Sequence, residues 1–159
     1  MNDDYYMLSA LEDAKKALLD GNLPSASIIE KDGKIIARGL SRVVSDLDPS
    51  AHGDLICIRS ACESLHTLDL EGSTLYTVIE PCSMCLTCAS WANISRIVFG
   101  AYQEDISDNS YLLHGYHAID FASKLVSLSG NVIDIKGGVL QDECRQIMDG
   151  VSAWIPKHL

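Results

Sequence analysis

The stretch Thr74-Leu75-Tyr76-Thr77-Val78-Ile79-Glu80-Pro81-Cys82-Ser83-Met84-Cys85 decides the fold. Leu75 to Ile79 is an apolar, β-branched run of buried-strand length, and it ends at Glu80-Pro81. An apolar helix is expected to follow from about Cys82 to Ala92, with the proline at its entrance, where a missing N–H costs nothing. Strand, proline, helix is therefore the central unit, and two cysteines three apart sit on the first turn of that helix.

Working outward, Asp4 to Leu19 carries apolar residues at helical spacing and stops at Asp20-Gly21-Asn22. Ser25 to Glu30 and Lys34 to Leu40 read as two antiparallel strands joined by a hairpin, because Asp32-Gly33 separates them. His52 to Leu65 gathers Leu55, Ile56, Ile58, Ala61 and Cys62 near one helical face. On the other side, Arg96 to Tyr102 and Val132 to Ile135 read as strands, and Leu140 to Val151 as a closing amphipathic helix. Between them, Gln103 to Ser129 is rich in Ser, Asp, Asn and Gly, with a helix expected around Ala118 to Leu125. Helices alternating with strands after an opening hairpin imply an α/β protein: a three-layer α/β/α fold with a mixed central sheet. No repeat or linker divides the chain, so a single domain over residues 1–159 is expected.

Hydrophobic residues make up 47% and charged residues 21%, which excludes a disordered or fibrous chain. The apolar runs fall well short of the ~20 residues that cross a bilayer, and the first residues lack the basic start and apolar centre of a signal peptide. A soluble, cytoplasmic protein with no membrane partner is the expectation. A net charge of -10 opposes a phosphate backbone, and Lys15, Lys16, Arg38, Arg42, Arg59 and Arg96 are scattered, so a nucleic-acid partner is not expected. Without a secretion signal, the 6 cysteines read as metal ligands, reactive thiols or core residues before disulfides.

Two places can present ligands from a helix start: Ala51-His52-Gly53-Asp54, and Pro81-Cys82-Ser83-Met84-Cys85. Free backbone N–H groups and the positive end of the helix dipole favour thiolates at Cys82 and Cys85. One imidazole and two thiolates suit Zn2+ and leave the fourth position to water, the pattern of a catalytic zinc site in which that water becomes acidic. A thioredoxin-like redox pair, or two buried structural thiols, is the competing reading. It requires neither the upstream His52 nor the proline before Cys82. Cys57, Cys62, Cys88 and Cys144 fall on expected helices as core residues, although Cys88 repeats the three-residue spacing and offers a further ligand. Trp91 is read as core or as a dimer contact. His114 and His117 lack cysteine or carboxylate partners and read as surface-loop histidines.

Histidine-x-carboxylate followed by proline-cysteine-x-x-cysteine resembles the cytidine deaminase-like superfamily of zinc-dependent nucleobase and nucleoside deaminases, in its cytosine, guanine and tRNA-adenosine deaminase branch. Asp48 to Asp54, Thr74 to Cys85, Arg96 to Gly100 and Gly137 to Cys144 carry the resemblance. It implies His52, Cys82 and Cys85 as metal ligands and Asp54 as the residue that shuttles protons, although the family has glutamate there. Aspartate is one methylene shorter, by ~1.5 Å. Three explanations stay open: a helix start shifted to suit Asp54, a bridging water, or zinc and substrate binding without efficient turnover.

The resemblance also places Ser41, Ala51, Gly53, Pro81 and Trp154 around the substrate. Ser41 stands where relatives carry a substrate-binding asparagine, and Pro24-Ser25-Ala26-Ser27 replaces a proline-phenylalanine-glycine-alanine run. Gly53 is similar to the glycine of fungal-type cytosine deaminases. Trp154 would close over the pocket, with Lys157 where an acidic residue is expected. The function implied is hydrolytic deamination of a free nucleobase or nucleoside by a zinc-activated water, in a homodimer. The alternatives are a zinc-binding homologue with a binding or regulatory role, and a tRNA adenosine deaminase.

Overall fold

Along β3 (Thr74–Ile79), Leu75 packs into one apolar cluster while Tyr76 and Val78 pack into another, so the strand is covered on both sides. The computed structural model describes residues 2–106, 116–125, 130 and 132–149. The remaining elements are α1 (Asp3–Leu19), β1 (Ala26–Lys31), β2 (Lys34–Leu40), α2 (Gly53–Leu65), α3 (Ser83–Trp91), β4 (Arg96–Ala101), a 3-10 turn (Gln103–Asp105), α4 (Ala118–Ala122), β5 (Asp134–Lys136) and α5 (Gln141–Gln146). The sheet runs β2-β1-β3-β4-β5. β1 pairs antiparallel with β2 and β3, whereas β3–β4 and β4–β5 are parallel. The three-layer α/β/α arrangement with a mixed sheet is thus observed.

One face carries α2, α3 and α4, whose Cys57, Ile58, Ala61, Leu86, Ala89 and Ala118 pack with Ile29, Leu75, Ile97 and Phe99 of the strands. The opposite face carries α1 and α5, whose Tyr6, Met7, Ala10, Leu11 and Cys144 meet Ile28, Tyr76, Val78 and Val98. Each fully buried side chain of this size contributes roughly 1.5–3 kcal/mol. The hairpin forms as expected, with Asp32 (φ 53) and Gly33 (φ 76) both left-handed, the geometry that matches strand twist.

The edges of the later elements differ from expectation. β5 begins at Asp134, not Val132, which is 65% exposed. Its register sets Asp134 opposite Arg96 and Ile135 opposite Ile97, and Arg96 Nε lies 3.3 Å from Asp134 Oδ2. α4 ends at Ala122 and α5 is described only to Gln146. Of the closing helix, residues 150–151 lie outside the described residues, as do His114, Trp154 and Lys157.

α1 is capped by Asn2, whose Oδ1 accepts from the Tyr5 N–H at 3.2 Å, and it is tied to the sheet by Asp3. The Asp3 carboxylate accepts from Arg96 Nη1 (2.8 Å) and Nη2 (3.0 Å), Lys136 Nζ (2.8 Å) and Tyr76 OH (3.0 Å). The Arg96 bonds first, then those from Lys136 and Tyr76, hold Asp3 well below the usual carboxylate range against its burial. A depressed folded-state value means that this stabilisation is complete above the ordinary value of 3.8 and is lost as pH falls below it. Asp3→Asn should therefore cost about 2 kcal/mol in urea unfolding at pH 7, and the difference from the parent should shrink as pH falls towards 2 to 3.

Candidate metal centre and active site

β3 and the loop leading to α2 deliver two helix starts to the same place. The parallel pairing of β3 with β4 leaves the C-terminal end of β3 open, and Glu80-Pro81 carries the chain from it into α3. Proline forces the preceding Glu80 into extended backbone, which ends the strand and turns the chain. Cys82 caps α3 in an extended conformation (φ -71, ψ 169), and His52 caps α2 in another (φ -69, ψ 146). Each donor thus sits one residue before its helix, where free N–H groups point outward.

α2 reaches that position because glycines meet at its foot. A Cβ on Gly39 would lie 2.1 Å from the Gly53 carbonyl oxygen. One on Gly53 would lie 3.0 Å from Ala26 Cα and from the Ser25 oxygen. The first turn of α2 therefore rests directly on β1 and β2.

The three donor atoms converge. His52 Nδ1 lies 3.7 Å from Cys82 Sγ and 3.6 Å from Cys85 Sγ, and the two sulfurs are 3.5 Å apart. A tetrahedral zinc ~2.3 Å from sulfur and ~2.1 Å from nitrogen would hold such atoms about 3.6–3.8 Å apart, so the donor set fits the ion in kind and spacing. Among the described residues, this is the only cluster of three or more metal-binding side chains. Cys88 is not part of it. Cys82 is pushed down to about 4, first by the hydrogen bond with Cys85, then by His52 and the Cys85 N–H. His52 is raised, chiefly by Cys82.

Asp54, in the first turn of α2, is 5% exposed. Burial raises it, while the hydroxyls of Ser27 and Thr77 and the thiol of Cys85 act in the opposite direction. Its carboxylate thus lies between the sheet and the sulfur pair. Together with His52 and Cys82 it lines a cavity of about 420 Å³, walled by Leu23, Val43, Pro49, Ile79, Ile106 and Met148. That volume suits an aromatic base.

Four further described residues were expected around the substrate. Ser41 is 1% exposed, its N–H bonds the Ser25 carbonyl at 2.8 Å, and its hydroxyl has no partner in the structure. Ala51 donates to the Asp48 carbonyl at 3.1 Å and accepts from the Arg42 N–H at 3.0 Å. Gly53 packs against β1, and Pro81 accepts from Tyr116 OH at 2.9 Å. None of these four lines the cavity.

Sequence reasoning missed Glu80. Its carboxylate, 4% exposed, accepts from the Gln103 N–H at 3.0 Å and the Ala118 N–H at 2.7 Å. It binds the cysteine loop to both the 3-10 turn and α4. Its position beside Pro81 was the available signal. The apolar walls could not be found that way, since they come from five separate stretches of chain. Cys57 and Cys144 are buried as expected; Cys62 and Cys88 are only partly buried, and Trp91 is 65% exposed, so it is not core.

A mixed sheet whose helix starts gather one imidazole, two thiolates and a buried carboxylate at the floor of a cavity defines a zinc-dependent deaminase of the cytidine deaminase-like fold. The chain belongs to the cytidine and deoxycytidylate deaminase zinc-binding family, whose zinc-binding region matches residues 1–101. These are hydrolases acting on C–N bonds.

The chain is 34% identical over 140 residues to the tRNA-specific adenosine deaminase of Aquifex aeolicus, covering 80% of this chain and 93% of that protein. It is 38% identical over 88 residues to the guanine deaminase of Bacillus subtilis, covering 55% and 56% of the two chains. A solved tRNA:A34 deaminase, studied for A-to-I editing at the wobble position of transfer RNA, superposes with a TM-score of 0.74 at 30% identity over 90% of this chain and 98% of that one.

These relatives overturn the expectation that nucleic acid is excluded as a partner. That expectation rested on net charge and on basic residues scattered along the sequence, neither of which reports the potential near the site, on which docking depends.

Cys82→Ser should weaken zinc binding by more than ~100-fold, because losing a ligand costs more than losing a residue that orients one. Cys88→Ser should retain one zinc per chain by elemental analysis.

Proposed function

We propose that this protein deaminates adenosine in tRNA to inosine, with His52, Cys82 and Cys85 holding zinc and Asp54 moving the protons. The observation that carries the reading is the convergence of the three donors, 3.5–3.7 Å apart, beside a buried carboxylate at the floor of a base-sized cavity. The tRNA-specific relatives, matched over most of their length, support the choice of substrate.

Bound zinc supplies Lewis acidity, which brings a ligated water's pKa towards neutrality. The protein's own residues do the rest. Asp54 accepts one proton of the attacking water on a carboxylate oxygen and delivers it to the adenine ring nitrogen next to the reacting carbon; it then takes the second proton from the hydroxyl left on that carbon and passes it to the amine, which departs as ammonia as the carbonyl forms. Leu23, Val43, Ile79 and Ile106 exclude bulk water and hold the flat ring. Pro81 and Glu80 keep the cysteine turn in register with the 3-10 turn and α4.

A second reading, deamination of a free amino-purine, is favoured by the guanine deaminase likeness. Zinc-loaded protein incubated with unmodified tRNA should yield inosine, and ammonia release from guanine, adenine, cytosine and their nucleosides should be at least ~100-fold slower. Release from a free base alone would select the second reading. Silence with one zinc per chain would select a zinc-binding homologue.

Part of the same proposal is a cytoplasmic homodimer. No described helix is long and apolar enough to cross a membrane. Trp91 (65% exposed) and Leu68 (78%) flank Leu55, Cys62 and Cys88 in an apolar hollow between α2 and α3, a surface suited to a second copy. Trp91→Glu should shift the sedimentation of the protein to that of a monomer while leaving its zinc content unchanged.

A further inference from the structure

We propose that Ser27, with Thr77 beside it, is a positioning residue that fixes the carboxylate of Asp54, so that an aspartate serves where the family's glutamate is longer. For its catalytic consequence, the proposal rests on the deaminase reading.

Ser27 is the second residue of β1, where Ala26, Ile28 and Ile29 are fully buried, and is itself 0% exposed. A hydroxyl in such a strand is costly unless it is bonded. Its partner is specific: Ser27 Oγ donates to Asp54 Oδ1. Thr77 is the Cα partner of Ser27 across the antiparallel β1–β3 pair and is 1% exposed, and its hydroxyl has no hydrogen-bond partner among the described residues, so Ser27 alone makes the tether. β1 thus offers Asp54 one hydroxyl, at a depth where the flanking positions are apolar.

The approach of α2 completes the arrangement. Gly39 and Gly53 leave no space for a Cβ between the helix foot and the sheet, which lays Asp54 against β1 within reach of Ser27. With Oδ1 tethered, the carboxylate has lost its rotational freedom. Asp54 also borders the cavity, so the second oxygen is the one left to meet substrate. A side chain one methylene longer would drive its carboxylate into the space the Ser27 hydroxyl occupies. Ser27 and Asp54 are therefore a matched pair.

The test is a cycle of variants, all checked for one zinc per chain. Ser27→Ala should lower kcat by about 10-fold or more, with KM within about twofold, because a displaced proton carrier costs rate and not binding. Asp54→Glu should be impaired alone and should recover kcat when combined with Ser27→Ala. In denaturant unfolding, the losses of Ser27→Ala and Asp54→Ala should together exceed that of the double variant. Unchanged kcat in Ser27→Ala, independent effects of the Ser27 and Asp54→Glu changes, or additive stability losses would overturn the proposal. A parent that deaminates none of the substrates would refute the deaminase reading separately. The unfolding cycle would then decide alone whether Ser27 holds Asp54, with sub-additive losses supporting the tether.

Discussion

Three donor atoms that would each prefer solvent must be held within 3.5–3.7 Å of one another, and the rest of the structure follows from how that is done. The donors come from two chain segments some thirty residues apart, and neither segment can place them alone. β3 delivers Cys82 and Cys85 through a proline turn, and the glycine contact at the foot of α2 delivers His52. Both rest on the sheet, a rigid support for a site that tolerates little displacement.

The convergence is also electrostatic. α2 and α3 both begin at the centre, so two positive dipole ends and their free N–H groups face the same small volume. That field favours thiolate at Cys82 and offsets part of the cost of burying Asp54. Burial of the carboxylate works against the field and raises Asp54 above the ordinary carboxylate range. Glu80 plays a different part. Two backbone N–H groups satisfy its buried carboxylate, and its role is to fasten the cysteine turn to the structure that follows β4.

Much of this was readable from residue order. The central strand, the proline turn, the hairpin and the first two helices follow from short-range periodicity and turn chemistry, which depend on neighbours along the chain. The ligand set was readable because its spacing is rigid: Cys82 and Cys85 share one helical turn. Contacts across the fold were not. Residues of the cavity wall such as Leu23, Ile106 and Met148 have no common pattern, and Ser41 and Ala51, expected around the substrate, are engaged with or buried in the surrounding loops. The β5 register escaped because it is set by the partner of Arg96, not by apolar periodicity. Net charge misled most, since a sum over 159 residues carries no information about where a tRNA would touch.

The aspartate at position 54 shows why local and tertiary reasoning must be combined. On sequence alone, the loss of a methylene argues for a weakened catalyst, with a shifted helix, a bridging water or lost turnover as equal explanations. Packing adds the contacts that residue order does not show. The Gly39–Gly53 contact brings the helix start onto the sheet, and the Ser27 hydroxyl takes hold of the carboxylate that arrives there. A carboxylate buried at that depth needs a hydrogen-bond partner, and Ser27 supplies it. The tether proposed for Ser27 is the reading under which Gly39, Gly53, Ser27 and Asp54 act together: close approach of helix and sheet sets the distance, and the hydroxyl fixes the shorter side chain within it.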